Sequence, residues 1–336
     1  KLLRRVGRVD TEVGQTLLEY RRYNRRSDRT SVVLRAGRGV RHYQHYYLGI
    51  VSRGECREGR NVGHMIHAGL GLELVVFVDF LSCTGLAAYA VTDHCECNSW
   101  YPAKHYSDGD DMHDSYCYKD CFLDSVAAVT ALKEKYNGKL NLICGVEMGQ
   151  PQAAPEAAAF INADERVDFI IGSLHQIRGE KDFYYIDYID LGTDKIYDLL
   201  ERYFTELNEM CRTNSFDVLG HLTYCLRYMK QRHGIEPDIS RFDGIIADSF
   251  RTLAQNGKGI EINTSGLRQG FGETFPNLRY TKLFREMGGE IISVGSDAHT
   301  AEDIGKNVRD GIEIAKAAGF TRIAYFKKRQ PQFIAI

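Results

Sequence analysis

From about residue 86 the chain alternates strand-patterned and helix-patterned segments, and this alternation limits its fold more than any other feature. "LAAYAVTDH" (86–94), "LNLICGVE" (140–147), "VDFIIGSLH" (167–175), "FDVLGH" (216–221), "GIEINTS" (259–265) and "EIISVGSDAH" (290–299) read as strands, with "RIAYF" (322–326) as the last. Between them, segments 122–136, 155–161, 196–211, 243–257, 278–289 and 304–320 read as helices, from apolar residues near helical spacing and from start or stop signals. Glycines close those at 243–257 and 278–289. Strands separated by helices form βαβ units, and these predict a parallel sheet.

The strand ends decide between an open sheet and a closed one. In chain order they are Thr92-Asp93-His94, Gly145-Val146-Glu147, Ser173-Leu174-His175, Gly220-His221, Asn263-Thr264-Ser265 and Ser296-Asp297-Ala298-His299. Every one ends in a polar or metal-competent group. An open sheet gathers ligands at its switch point, from few strands, whereas a barrel converges them on the C-terminal rim. Six contributing strands therefore favour a closed or nearly closed α/β barrel. On that rim His94, Glu147, His175, His221, Asp297 and His299 would meet. A single zinc takes about four ligands. Six, including carboxylates able to bridge, imply two or more divalent ions of the kind that serve displacement at phosphorus. Zn, Mn or Fe each suits such a mixed set.

A lone histidine after a strand is more often a hydrogen-bonded loop residue than a ligand; recurrence at successive strand ends is what carries the metal reading. His105, His113 and His233 lie in polar, loop-like text and read as solvated. Cys95, Cys97, Cys117 and Cys121 lack a second half at zinc-finger spacing. Nine irregularly spaced cysteines fit reduced thiols in a cytoplasmic protein. A net charge of −2 calls for neither nucleic acid nor an anionic membrane. No apolar run approaches the roughly 18 residues of a membrane span.

The charge is unevenly placed. Residues 1–86 hold 14 arginines and one lysine against eight acids, the remainder is net acidic, and all six prolines follow residue 100. Residues 1–83 are thus an atypical Arg-rich segment: a basic arm, a poorly ordered extension, or residues not native to the domain, as a shifted upstream reading frame would produce. The domain proper is expected over 84–336.

"AVTDHCECN", "GVEMGQP", "IGSLH", "DVLGHLTYCLRY", "EINTSGLRQGFGETFP" and "SVGSDAH" occur in the order found in the polymerase-and-histidinol-phosphatase (PHP) superfamily. The chain resembles its histidinol-phosphatase branch from about residue 84 to the C-terminus. The resemblance implies a distorted (β/α)7 TIM-like barrel with a trinuclear metal centre at the C-terminal rim of the strands. His94, Glu147, His175, His221, Asp297 and His299 match metal positions of the family, with Asp93 expected to orient one of them. Family members begin with a strand ending in His-x-His. This chain has none; His42/His45 and His64/His67 have the wrong spacing. Two to three divalent ions are therefore expected.

Substrate contacts are assigned to other residues. Arginine's planar fork suits phosphate oxygens, which selects Arg268 and Arg227, both just past rim strands. Asn263 and Ser265 are candidates to orient water or a phosphate oxygen, and Asp187 to meet a substrate ammonium. Asp297 is a candidate proton carrier to the leaving alkoxide. The reaction implied is hydrolysis of L-histidinol phosphate in histidine biosynthesis, with a small-molecule phosphomonoester as partner and neither nucleic acid nor membrane. The alternatives are a phosphoesterase acting on a nucleotide or sugar phosphate, an amidohydrolase-type enzyme, and a metal-binding barrel without turnover.

Overall fold

The computed structural model describes residues 47–51, 86–101, 106, 119–136 and 141–336. The short strand β1 (Tyr47–Val51) precedes six strands that run parallel in chain order. These are β2 (Leu86–Glu96), β3 (Leu142–Gly149), β4 (Phe169–Ser173), β5 (Val218–Leu219), β6 (Gly259–Asn263) and β7 (Ile292–Gly295). The parallel strands form a curled half-barrel, the TIM-like architecture expected. β1 joins it antiparallel to β2 and also runs beside β7. Strands β3 to β7 are buried along their whole length, so they read as apolar runs rather than alternating ones.

Around the sheet lie α1 (Lys119–Lys135), α2 (Pro155–Asn162), α3 (Thr193–Arg212), α4 (Arg227–His233), α5 (Asp243–Gln255), α6 (Ser265–Arg268), α7 (Leu278–Glu286) and α8 (Val308–Ala317). Helix α3 shows why the pattern was readable. Ile196, Leu199, Leu200, Tyr203, Phe204, Leu207, Met210 and Cys211 follow 3.6-residue spacing and are all buried. Truncating one of its large anchors, as in Phe204→Ala, would cost about 3–5 kcal/mol. Helix α8 approaches the sheet closely because residue 311 is glycine. A Cβ there would lie 2.5 Å from Val294 Cγ1 and 2.8 Å from Thr264 Cγ2.

The last predicted strand is misassigned to the barrel. Arg322–Lys327 (β8) pairs antiparallel with Gln330–Ala335 (β9), a strand the sequence reading missed, in a separate two-stranded sheet. The two linking residues, Lys328 and Arg329, both have positive φ (49° and 63°), as a tight two-residue hairpin requires. This ribbon covers the N-terminal end of the barrel. Phe326 stacks on Phe169 of β4 at 4.8 Å between centroids, and Arg329 Nε donates to Asp217 Oδ2, just ahead of β5, at 2.6 Å.

His42, His45, His64, His67, His105, His113, Cys117 and most of residues 1–83 lie outside the described residues. Among the described residues, the cysteines are buried and form no disulfide, and no helix is long and apolar enough to cross a membrane.

Candidate metal centre

The pleat of the sheet selects which rim residues meet. Along a strand every second side chain faces inward. His94 pairs in register with Glu147, and Gly149 with Ser173, so these positions share one face. Inward parity therefore includes 94 and 96, 147 and 149, 261 and 263, and 293 and 295. Asp93 has the opposite parity, and its carboxylate accepts from Ser125 Oγ on α1. It belongs to the outer helical layer and does not orient His94 from within the site.

Four of the expected ligands form one buried cluster. Glu147 Oε1 lies 3.1 Å from His175 Nε2 and 2.8 Å from His221 Nε2. Those two nitrogens are themselves 3.1 Å apart. His94 Nδ1 stands 3.8 Å from Glu147 Oε2. His94, Glu147 and His175 each offer a donor atom within 4.8 Å of the others'. Ser173 Oγ donates to Glu147 Oε1 at 2.7 Å, whereas Glu147 Oε2 is buried without a hydrogen-bond partner among the described residues.

This donor set fits a cation. Two imidazole nitrogens converging on one carboxylate oxygen place lone pairs face to face unless a proton or a metal lies between them. Burial would lower His175, but the charges of Glu96 and Glu147 overcome it and raise it well above the ordinary imidazole value. Burial together with the neighbouring His175 and Arg227 charges lowers His221, despite Glu147. Burial also works against ionising Glu147, yet the charges of His94 and His175 hold it well below the carboxylate range.

Asp297 and His299 form a second group. His299 Nε2 is 3.2 Å from Asp297 Oδ1. Asp297 Oδ2 receives Arg227 Nη2 at 2.9 Å, Ser265 Oγ at 3.1 Å and Asn263 Nδ2 at 3.2 Å. Burial opposes ionisation of Asp297, but Arg227 and then His299 keep its carboxyl well below the usual range. Its backbone has φ +49°, a left-handed conformation tolerated by Asp and held here from both sides. Arg268 donates to the carbonyl oxygens of Ser296 and Asp297 and pairs with Asp303 at 3.3 Å. Its guanidinium thus braces the turn leading to His299. Arg227 is 3% exposed and lies over the Phe275 ring at 4.7 Å, inside the barrel mouth. Asp187 is largely exposed, accepts from Ile189 N at 3.1 Å and has His233 Nε2 at 3.7 Å. Asp187 lies in a loop and His233 at the end of α4, and neither belongs to either group.

Two buried acids were missed by the sequence reading, and strand parity would have found both. Glu96, two residues after His94, places Oε1 2.9 Å from His175 Nδ1 and 3.2 Å from His94 Nδ1. Burial pushes its carboxyl up, but the charges and hydrogen bonds of His175 and His94 hold it at about 2. Glu261, two before Asn263, joins the two groups: its Oε2 accepts from His221 N at 3.2 Å and from Asn263 Nδ2 at 3.4 Å. Burial, reinforced by Glu147 and Asp297, pushes it up to about 8.

A curled parallel sheet with histidines and carboxylates buried at its C-terminal rim defines a metal-competent α/β barrel. Comparison with known proteins makes the class specific. The PHP domain family matches residues 77–265, more than half of the chain, and the chain belongs to that family. A probable histidinol-phosphatase of Clostridium acetobutylicum is 27% identical over 196 residues, covering 56% of this chain and 72% of the relative. The histidinol-phosphatase of Lactococcus lactis is 27% identical over 206 residues, covering 59% and 72% respectively. The crystal structure of histidinol phosphate phosphatase from Lactococcus lactis, complexed with zinc, L-histidinol and phosphate, aligns with a TM-score of 0.61 at 22% identity. It covers 76% of this chain and 91% of that one.

Proposed function

We propose that this chain is a cytoplasmic histidinol-phosphatase that hydrolyses L-histidinol phosphate to L-histidinol and inorganic phosphate. The observation that carries this reading is the buried convergence of His94, His175 and His221 on Glu147, in a family whose curated relatives bear that name. The substrate is a small phosphomonoester, with no role for nucleic acid or membrane. Residues 84–336 are the working domain of this reading, and β1 (Tyr47–Val51) of the Arg-rich segment 1–83 pairs into its sheet. Without a His-x-His motif, the six remaining ligands would hold about two divalent ions, Zn, Mn or Fe, rather than the family's three.

Such ions, when bound, polarise the phosphoryl oxygens and acidify a water near neutral pH. His94, Glu147, His175 and His221 would hold one group of contacts, and Asp297 with His299 the other. Arg227 neutralises charge gathering on the equatorial oxygens in the transition state, and Asn263 and Ser265 hold a phosphate oxygen or water in line. Arg268 contributes to this field and fixes the turn that carries Asp297 and His299. Asp297, held in place by Arg227 and His299, is the assigned carrier of a proton to the leaving alkoxide.

The test is a panel of phosphomonoesters and amides assayed on the full chain with Mn²⁺ or Zn²⁺ supplied. Preference for L-histidinol phosphate is expected. Equal or better release from nucleotide or sugar phosphates, amide hydrolysis, or metal binding without turnover would each overturn the assignment. Limited proteolysis should cut within residues 1–83 before it cuts α3 or α8; a resistant 1–83 segment would overturn the proposed domain boundary.

A further inference from the structure

The geometry points to Glu96 as a positioning residue that fixes two metal-binding imidazoles at once, in a notch created by Gly149. This rests on the reading of the rim cluster as a metal centre.

A carboxylate only accepts hydrogen bonds. Glu96 Oε1 stands 2.9 Å from His175 Nδ1 and 3.2 Å from His94 Nδ1, so both protons sit on Nδ1. That tautomer turns His175 Nε2 toward Glu147 and His221 with its lone pair free for a cation. The second oxygen is also occupied, since Gln150 Nε2 donates to Glu96 Oε2 at 2.8 Å. Gln150 is locked in turn: its Oε1 accepts from His175 N at 3.1 Å, and its Nε2 reaches Asn98 Oδ1 at 3.3 Å. The carboxylate, the amide and the backbone of His175 thus form one closed circuit behind the ligands.

Gly149 is the independent observation. It shares inward parity with Glu147 and pairs in register with Glu96. A Cβ built on it would lie 1.7 Å from Glu96 Oε2 and 2.4 Å from Glu96 Cδ. The absent side chain is the space the carboxylate fills. Any other residue at 149 would displace Glu96 from both imidazoles while leaving every ligand in the chain.

The experiment measures Zn²⁺ affinity, by competition with a chromophoric chelator, for the full chain and for Glu96→Gln, Gly149→Ala and the double variant. Thermal unfolding of each chelator-treated protein is recorded alongside. Loss of an outer partner of metal-binding histidines weakens affinity by roughly 10- to 100-fold. That loss is expected in Glu96→Gln and again in Gly149→Ala. The double variant should be no weaker than the worse single one, because both act through the same carboxylate. The Co²⁺-loaded variants should also show altered ligand-field bands. Unchanged Zn²⁺ affinity in folded Glu96→Gln overturns the assignment, as does additive loss in the double variant or a wild-type chain that binds no Zn²⁺. Hydrolysis of histidinol phosphate does not enter these readouts, so the substrate assignment can fail while this one stands.

Discussion

The two ends of the barrel bury the same kinds of residue and use them differently. At the base, Asp217 accepts from Ile170 N at 2.8 Å and from Arg329 Nε at 2.6 Å. Asp168 accepts from Cys144 N at 3.0 Å and Lys328 N at 3.1 Å, and pairs with Lys133. Each buried carboxylate there meets cations and amides of its own chain. At the rim, Glu147 Oε2 has no hydrogen-bond partner among the described residues, and two histidine nitrogens face each other 3.1 Å apart. A buried acid satisfied by its own fold is a brace; one surrounded by further electron-pair donors is poised for a cation the chain does not supply.

Breaking the rim should abolish function at little cost in folding. Glu147→Gln is expected to lose bound metal together with at least about 10³-fold in kcat/KM, while the metal-free protein unfolds no earlier than wild type. Elemental analysis, steady-state rates and thermal melts check all three. Normal metal content and turnover would remove Glu147 from the centre.

Arg227→Ala should cut kcat/KM by about two orders of magnitude, the scale of losing one preorganised electrostatic partner. Arg227→Lys should recover only part of it, since lysine has no planar guanidinium to lie over the Phe275 ring while one nitrogen serves both Ser265 and Asp297. Full activity of the alanine variant would make Arg227 a packing residue.

At the base the pattern should invert. Arg329→Ala leaves Asp217 buried and is expected to cost about 1–3 kcal/mol. The figure is below that for an isolated buried pair because Lys258 remains 4.0 Å from Asp217. Denaturant melts should show the loss, and Zn²⁺ affinity should not move. A change in metal binding without loss of stability would erase the contrast between the two ends.

A further expected effect is in pH dependence. Burial and the charges of Glu147 and Asp297 push Glu261 from 4.5 up to about 8. In that window the folded chain holds a proton the unfolded chain has released, so stability falls as pH rises from about 4.5 to 8. Glu261→Gln should flatten that fall in chelator-treated protein. An unchanged slope of melting temperature against pH would show that Glu261 is already ionised in the fold.

The barrel was legible because its strands are largely apolar and its helices are amphipathic at 3.6-residue spacing; α3 needs no tertiary information to be recognised. The site was legible as far as residue type and strand ending reach. His94, Glu147, His175 and His221 were named from those features and do converge. Direction was less visible. Asp93 and His94 are adjacent in sequence but face opposite layers, and only the pleat separates them. Glu96 was hidden between two cysteines that drew attention to metal-binding thiols, although its parity with His94 was available. The β8–β9 ribbon was misread because a five-residue apolar run looks the same whether it pairs inside a barrel or with its own hairpin partner beneath it. Arg268 shows a different gap: position after a strand identified it as rim-facing, but only coordinates reveal its donors turned to the carbonyls of Ser296 and Asp297.

The central claim is that the rim cluster holds divalent metal and that this metal makes the chain a phosphomonoesterase. The most direct measurement strips the purified full chain with chelator and titrates Zn²⁺ or Mn²⁺ back, following bound metal and phosphate release from L-histidinol phosphate in the same samples. Activity should be absent at the start, rise with occupancy, and saturate near about two ions per chain. Undiminished hydrolysis by the stripped protein, or saturating metal binding with no phosphate released, would contradict the account.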